Sequence, residues 1–142
     1  MKTIKFINNQ ISPEIKDKKE LKLFLFSIFE NEKVDFESIT YIFCRDVFLL
    51  GLNKKFLQHD TYTDIITFNL SGTLTRVTAE IYISVERILE NSTSLKVDYH
   101  EELRRVMIHG ILHLCGFSDH NDKAKKLMRK KENFYLSKYR FT

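Results

Sequence analysis

Three of the chain's five histidines lie within twelve residues, in the run Met107-Ile108-His109-Gly110-Ile111-Leu112-His113-Leu114-Cys115-Gly116-Phe117-Ser118-Asp119-His120. Residues four apart on a helix stand one above the other, so His109 and His113 present their imidazoles in the same direction and can grip one divalent metal ion. Zinc is the metal that this donor type suits best. Gly116 can end the helix in the left-handed conformation and turn the chain sharply. The turn carries Asp119 and His120 back toward the metal, where a third ligand can come from outside the helix. Three protein ligands leave a fourth position open, as in catalytic zinc sites, whereas structural zinc is usually closed by four.

Four and seven residues back along the same face stand Arg105 and Glu102, a polar line across a helix otherwise built from Leu103, Met107, Ile111 and Leu114. Polar groups on such a face need partners, and a metal supported by Glu102 and Arg105 would provide them. Cys115 points away from the histidines and is not expected to be a ligand. In zinc peptidases built on H-x-x-x-H, a glutamate general base follows the first histidine. Position 110 is glycine, which cannot take a proton, so that route lacks its central group.

The elements that must position these groups follow from periodicity. Residues 2–8 alternate apolar and polar as a strand does, and Leu21, Phe24, Leu25, Ile28 and Phe29 mark an amphipathic helix. SITYIFC reads as a second strand and RDVFLLGLNKKFL as a short helix. TDIITFNLSG and TRVTAEIYIS read as two strands turning at Ser71-Gly72. A helix begins at Ser84-Val85-Glu86 and runs to about Asn91. Asp98 caps the histidine helix, about Tyr99 to Cys115, with Glu101 as reciprocal acid, and a basic helix from about Lys123 to Lys138 ends the chain. This order predicts an α+β fold, a single domain over residues 1–142 with a small mixed four-stranded sheet packed with about five helices.

Hydrophobic residues make up 43% and charged residues 30%, with one proline, which excludes a disordered chain. No segment approaches the roughly 20 apolar residues of a membrane span, so no membrane partner and a cytoplasmic location are expected. Cys44 and Cys115 sit in apolar surroundings and read as buried small hydrophobes, not as a disulfide framework. Net charge is only +4, but from Asp119 onward eight basic residues face three acids. Such a cluster can contact phosphates.

The run HGILHLCGFSDH resembles the H-G-x-L-H-L-x-G-[YF]-D-H signature of the YbeY family, bacterial metal-dependent endoribonucleases of ribosomal RNA maturation. An upstream N-x-x-[YF]-R-x-x-D-x-x-T-D-[VI]-[LI]-[ST]-F block is matched by Asn53, Phe56, Asp60, Thr63, Asp64, Ile65, Ile66, Thr67 and Phe68. The family's G-D-I-x-I-S strand is matched by Ala79-Glu80-Ile81-Tyr82-Ile83-Ser84. The resemblance implies that His109, His113 and His120 hold one Zn(2+). It also implies a single-strand-specific endoribonuclease whose partners are ribosomal RNA and the ribosomal subunit, acting in rRNA maturation and ribosome quality control. Two departures accompany it. Between the second and third ligands there is one residue more than usual, with Ser118 as the insertion; in strict register the third position falls on Asp119, itself a competent ligand. The arginine of the upstream block is Leu57, which cannot contact phosphate, and Lys54, Lys55 or His59 would have to replace it.

Asp119 is the candidate catalytic residue, either orienting a ligand histidine or accepting a proton. Thr63 and Asp64, at a strand start, can line the same cleft. Two other readings share these residues: a ribosome- or RNA-binding module with a mainly structural metal, and a metal-dependent hydrolase of a small substrate.

Overall fold

A computed structural model describes residues 1–57, 63–71 and 76–139. The elements run β1 (Thr3–Asn8), α1 (Lys18–Asn31), β2 (Asp35–Cys44), α2 (Asp46–Leu57), β3 (Ile65–Asn69), β4 (Arg76–Ser84), α3 (Val85–Leu95), α4 (Tyr99–Leu114) and α5 (Asp122–Lys138). This is the expected α+β fold with a mixed four-stranded sheet and five helices. Gly72, half of the expected turn, lies outside the described residues, as do His59, Asp60 and Arg140.

The sheet order is β1-β2-β4-β3. β1, β2 and β4 are parallel, joined by crossovers, while β3 pairs antiparallel with β4, Ile65 opposite Ile83 and Thr67 opposite Ile81. Strand alternation divides β4 between two faces. Val77, Ala79, Ile81 and Ile83 belong to the main core with α1 and α4, and Tyr82 packs on the smaller cluster of Cys44, Leu49 and Ile66 beside α2. Both cysteines are free, Cys44 buried and Cys115 partly so.

Local chemistry sets the helix that carries the histidines. The Asp98 carboxylate accepts from the backbone N–H groups of His100 and Glu101, at 3.0 and 3.3 Å, satisfying donors that the first turn of α4 leaves unpaired. At the other end Gly116 takes φ 101°, while its N–H reaches His113 O and the Phe117 N–H reaches Leu112 O, each at 3.0 Å. The chain therefore leaves α4 in a tight reversal. Ser84 caps α3 by accepting from Arg87 N–H at 3.1 Å, and Asn121 caps α5 by accepting from Ala124 N–H at 2.8 Å.

Leu103, Met107, Ile111 and Leu114 are buried, as their spacing requires. Gly110 brings α4 down onto the sheet. A Cβ there would meet Ile65 Cδ1 and two carbons of Ile81, all at 3.1 Å. Ile81 is fully buried in the strand between β2 and β3 and has little room to yield. Alanine returns up to about 1 kcal/mol of helix propensity, but overpacking costs about 1–3 kcal/mol. We expect Gly110→Ala to destabilise the protein by about 1 kcal/mol, read as a lowered urea midpoint at unchanged m-value. An unchanged or raised midpoint would show that the helix can lift off the strands freely.

Candidate metal centre

His109 and His113 lie on the α4 face opposite its packing stripe, and their Nε2 atoms stand 3.0 Å apart. The reversal after Gly116 delivers Asp119, whose Oδ2 is 3.3 Å from His109 Nε2 and 3.5 Å from His113 Nε2. These three atoms form a group able to hold a metal ion. Bonds of about 2.0–2.1 Å in a tetrahedron put neighbouring ligand atoms about 3.3 Å apart, which the triangle matches. His120 is exposed and outside the group. Of the four residues expected at the site, the structure thus brings together His109, His113 and Asp119 and leaves His120 at the surface.

Glu132 decides which nitrogen of His109 faces the triangle. Its Oε2 lies 2.6 Å from His109 Nδ1, so the ring donates from Nδ1 and turns an unprotonated Nε2 toward His113 and Asp119. Lone pairs converging from two imidazoles and a carboxylate repel one another unless a cation sits among them, which is the chemical sense in which these residues fit a metal.

The carboxylate is itself held in place. Arg105 Nη1 donates to Glu132 Oε1 at 3.2 Å and to Asn133 Oδ1 at 2.9 Å. α5 is fastened to α1 through Tyr135, whose hydroxyl donates to Glu32 and accepts from Asn31 Nδ2, and through Lys131 to Glu32 at 3.1 Å. Arg105 therefore supports the site at one remove, through Glu132, and Glu102 lines the cleft without a hydrogen bond to either histidine. Glu132 is missed by spacing arguments confined to the histidine segment. Its signal is an acid at the centre of the stripe Met128, Glu132, Tyr135, the three residues of α5 that are buried.

Charge and burial compete throughout. Burial pushes His109 down, but the hydrogen bond and charge of Glu132, with Asp119 and Asp64 beyond, outweigh it and leave the imidazole above its ordinary value. For Glu132 burial pushes up, and His109, Arg105 and Arg129 together hold it below the usual carboxylate range. His113 is lowered, by burial first and then by His109. Asp64 is raised by burial against the pull of His109, and Glu102 by burial and then Asp64.

The triangle sits in a groove with two arms. One is lined by Leu57, Thr63, Thr67, Asn69 and Leu114, the other by Glu102, Arg105, Lys125, Met128, Arg129 and Glu132. Asp64, Ile65, His109 and Asp119 line both. Thr63 Oγ1 donates to Ile65 O at 3.2 Å, and Asp64 O accepts from Ser84 N–H at 3.0 Å, so both residues also shape the start of β3. Among the described residues of α2, Leu57 faces the groove and Lys54 and Lys55 do not.

Fold and site define an α+β protein with a helix-borne pair of histidines and a returning aspartate, open to a groove and able to hold one metal ion. The family described as Endoribonuclease YbeY matches residues 4–140. Proteins called Endoribonuclease YbeY are similar along most of the chain. That of Cytophaga hutchinsonii is 38% identical over 98% of this chain and 97% of its own, and that of Flavobacterium psychrophilum 43% identical over 89% of each. The solution structure of a Thermotoga maritima protein superposes with a TM-score of 0.63 at 28% identity, covering 95% of this chain and 87% of that one. The chain belongs to the YbeY family.

A metal ion such as zinc, bound at the triangle, would compete with protons for His109 Nε2. Because the folded imidazole is raised, zinc affinity should begin to fall at a higher pH than an ordinary histidine would give, and continue falling as pH drops. Glu132→Gln should lower the histidine's own midpoint in the metal-free protein, seen by NMR titration. The same variant should weaken zinc about 10–100-fold in chelator competition; unchanged zinc affinity would remove Glu132 from the centre.

Proposed function

We propose that this protein is a zinc-dependent endoribonuclease that cuts single-stranded RNA in ribosomal RNA maturation and ribosome quality control, working in the cytoplasm as one domain over residues 1–142. The observation that carries the reading is the convergence of His109 Nε2, His113 Nε2 and Asp119 Oδ2 on one point of an open groove. Family membership supplies the reaction class, since the relatives are named endoribonucleases. A cytoplasmic placement agrees with the lack, among the described residues, of a helix long and apolar enough to cross a membrane.

In this reading Asp119 is the third ligand, and no insertion is needed: counted in strict register from His113, the third position falls on Asp119, with His120 one residue beyond. That place in the triangle favours a ligand role for Asp119 over that of a free proton acceptor. A zinc ion held there would polarise a phosphoryl oxygen and acidify a water. The chain's own contributions are positional. Glu132 keeps His109 in one tautomer, Arg105 holds the Glu132 carboxylate in place by a hydrogen bond, and Asp64 with Thr63 walls the groove on the β3 side.

One observation favours a second reading, an RNA-binding module with a structural metal. At the groove position where the family carries arginine stands Leu57, 43% exposed and unable to bind phosphate.

The two separate on incubating zinc-loaded protein with single-stranded and structured RNA, beside His113→Ala, Asp119→Ala and His120→Ala. We expect the first two variants to lose zinc and cleavage together, by more than the about 10–100-fold that loss of a supporting contact costs, with His120→Ala retaining both. Zinc lost from His120→Ala but kept by Asp119→Ala would reverse the third-ligand assignment. Cleavage equal in every preparation would trace to a contaminating nuclease and sink the enzyme reading, and salt-sensitive RNA binding without cleavage would support the module.

A further inference from the structure

The cations of the groove lie on one side of the metal centre. On the β3 side the described lining offers Leu57, Thr63, Thr67 and Asn69, which leaves that arm without a positive charge. The opposite arm is lined by Arg105, Lys125 and Arg129. Arg105 is spoken for, with the same nitrogen bonded to Glu132 and Asn133 and the side chain only 19% exposed. The other two are exposed, with Arg129 keeping a long ion pair to Glu132. Arg129 is 60% exposed and its contact with Glu132 is 3.6 Å, too long for a hydrogen bond. Lys125 is exposed and forms no ion pair among the described residues.

Lys125 and Arg129 are four apart, so they stand on one face of α5. That face is the one turned to the metal centre, since Met128 and Glu132 lie between and beside them. Four residues of helix rise about 6 Å, on the scale of one nucleotide step. Lys126 and Lys130 follow each member of the pair by one residue and point about 100° away, outside the groove lining.

The geometry points to Lys125 and Arg129 as the binding site for the RNA backbone beside the cleaved bond, taking consecutive phosphates on the α5 side of the metal centre. This deepens the endoribonuclease reading and rests on it. It also sets the path of the strand, which crosses the centre between the β3 arm, where the described lining holds no lysine or arginine and Thr67 offers a neutral hydroxyl, and the cationic α5 arm.

The test uses full-length zinc-loaded protein and a single-stranded RNA that is 2′-O-methylated throughout and verified by gel to stay intact, with binding read by fluorescence anisotropy across a salt series. Four proteins are compared: the parent, Lys125→Gln, Lys125→Gln/Arg129→Gln, and the charge-matched control Lys126→Gln/Lys130→Gln. Each phosphate contact to a single strand contributes about 0.7 to the slope of log affinity against log salt. The groove pair should therefore reduce that slope by about 1.4 and raise KM for a cleavable strand, while Lys125→Gln alone, which has no contact with Glu132, should reduce it by about 0.7 with kcat and zinc content near the parent's. The control should keep the parental slope. Equal slopes for the two double variants, or a Lys125→Gln variant that loses kcat at unchanged KM, would overturn the site while leaving the endoribonuclease reading intact. A parent that neither binds nor cuts RNA would overturn both.

Discussion

The 2.6 Å bond between His109 Nδ1 and Glu132 Oε2 is the contact on which the rest of the centre depends. It does two things at once. It ties α5 to α4 at the level of the site, and it chooses the tautomer that turns an unprotonated nitrogen inward. Without that choice, His109 could present an N–H to His113 and Asp119, and the triangle would close as an ordinary hydrogen-bonded cluster. A carboxylate at 4% exposure is costly unless paired. Arg105 and the N–H of His109 Nδ1 satisfy its two oxygens, so the groups that make burial of Glu132 tolerable are those that fit His109 for a metal. Tyr135 and Lys131, three residues and one residue from Glu132 on α5, anchor the helix to α1 and thereby set where Glu132 can be.

Periodic segments were legible in the sequence because a helix or strand converts spacing into direction. His109 and His113 fall where the i, i+4 rule puts them, and the buried stripe of α4, the antiparallel β3–β4 pair and the five helices follow from the same kind of argument. The third residue of the triangle was legible only as a pair of neighbours. After Gly116 the chain leaves periodic structure, and nothing in spacing alone says whether Asp119 or His120 points inward. A preference for imidazole led to His120 and to an inserted Ser118, whereas the reversal at Gly116 turns Asp119 inward with no insertion at all.

Glu132 was hidden for a different reason. It sits thirteen residues beyond Asp119 in a helix whose composition is dominated by lysine and arginine, and its importance comes from packing between two helices, which composition does not report. Arg105 shows the same limit from the other side. Its place on the histidine face was legible, but its partner was not, so it reads from sequence as a support of the metal and in the structure as a support of the support.

Gly110 connects the fold to the kind of chemistry the centre can do. Helical geometry rotates position 110 by about 100° from His109, and here that rotation points it at Ile65 and Ile81 instead of the groove. The absence of a glutamate after the first histidine is therefore a packing requirement of α4 on β3 and β4 as well as a chemical difference from zinc peptidases. The same close approach sets Asp64 and Thr63, at the start of β3, against the histidines and so makes the second wall of the groove. A side chain at 110 would push that wall away. The one position that excludes peptidase chemistry is thus also the position that shapes the cleft in which an extended strand of nucleic acid would have to lie.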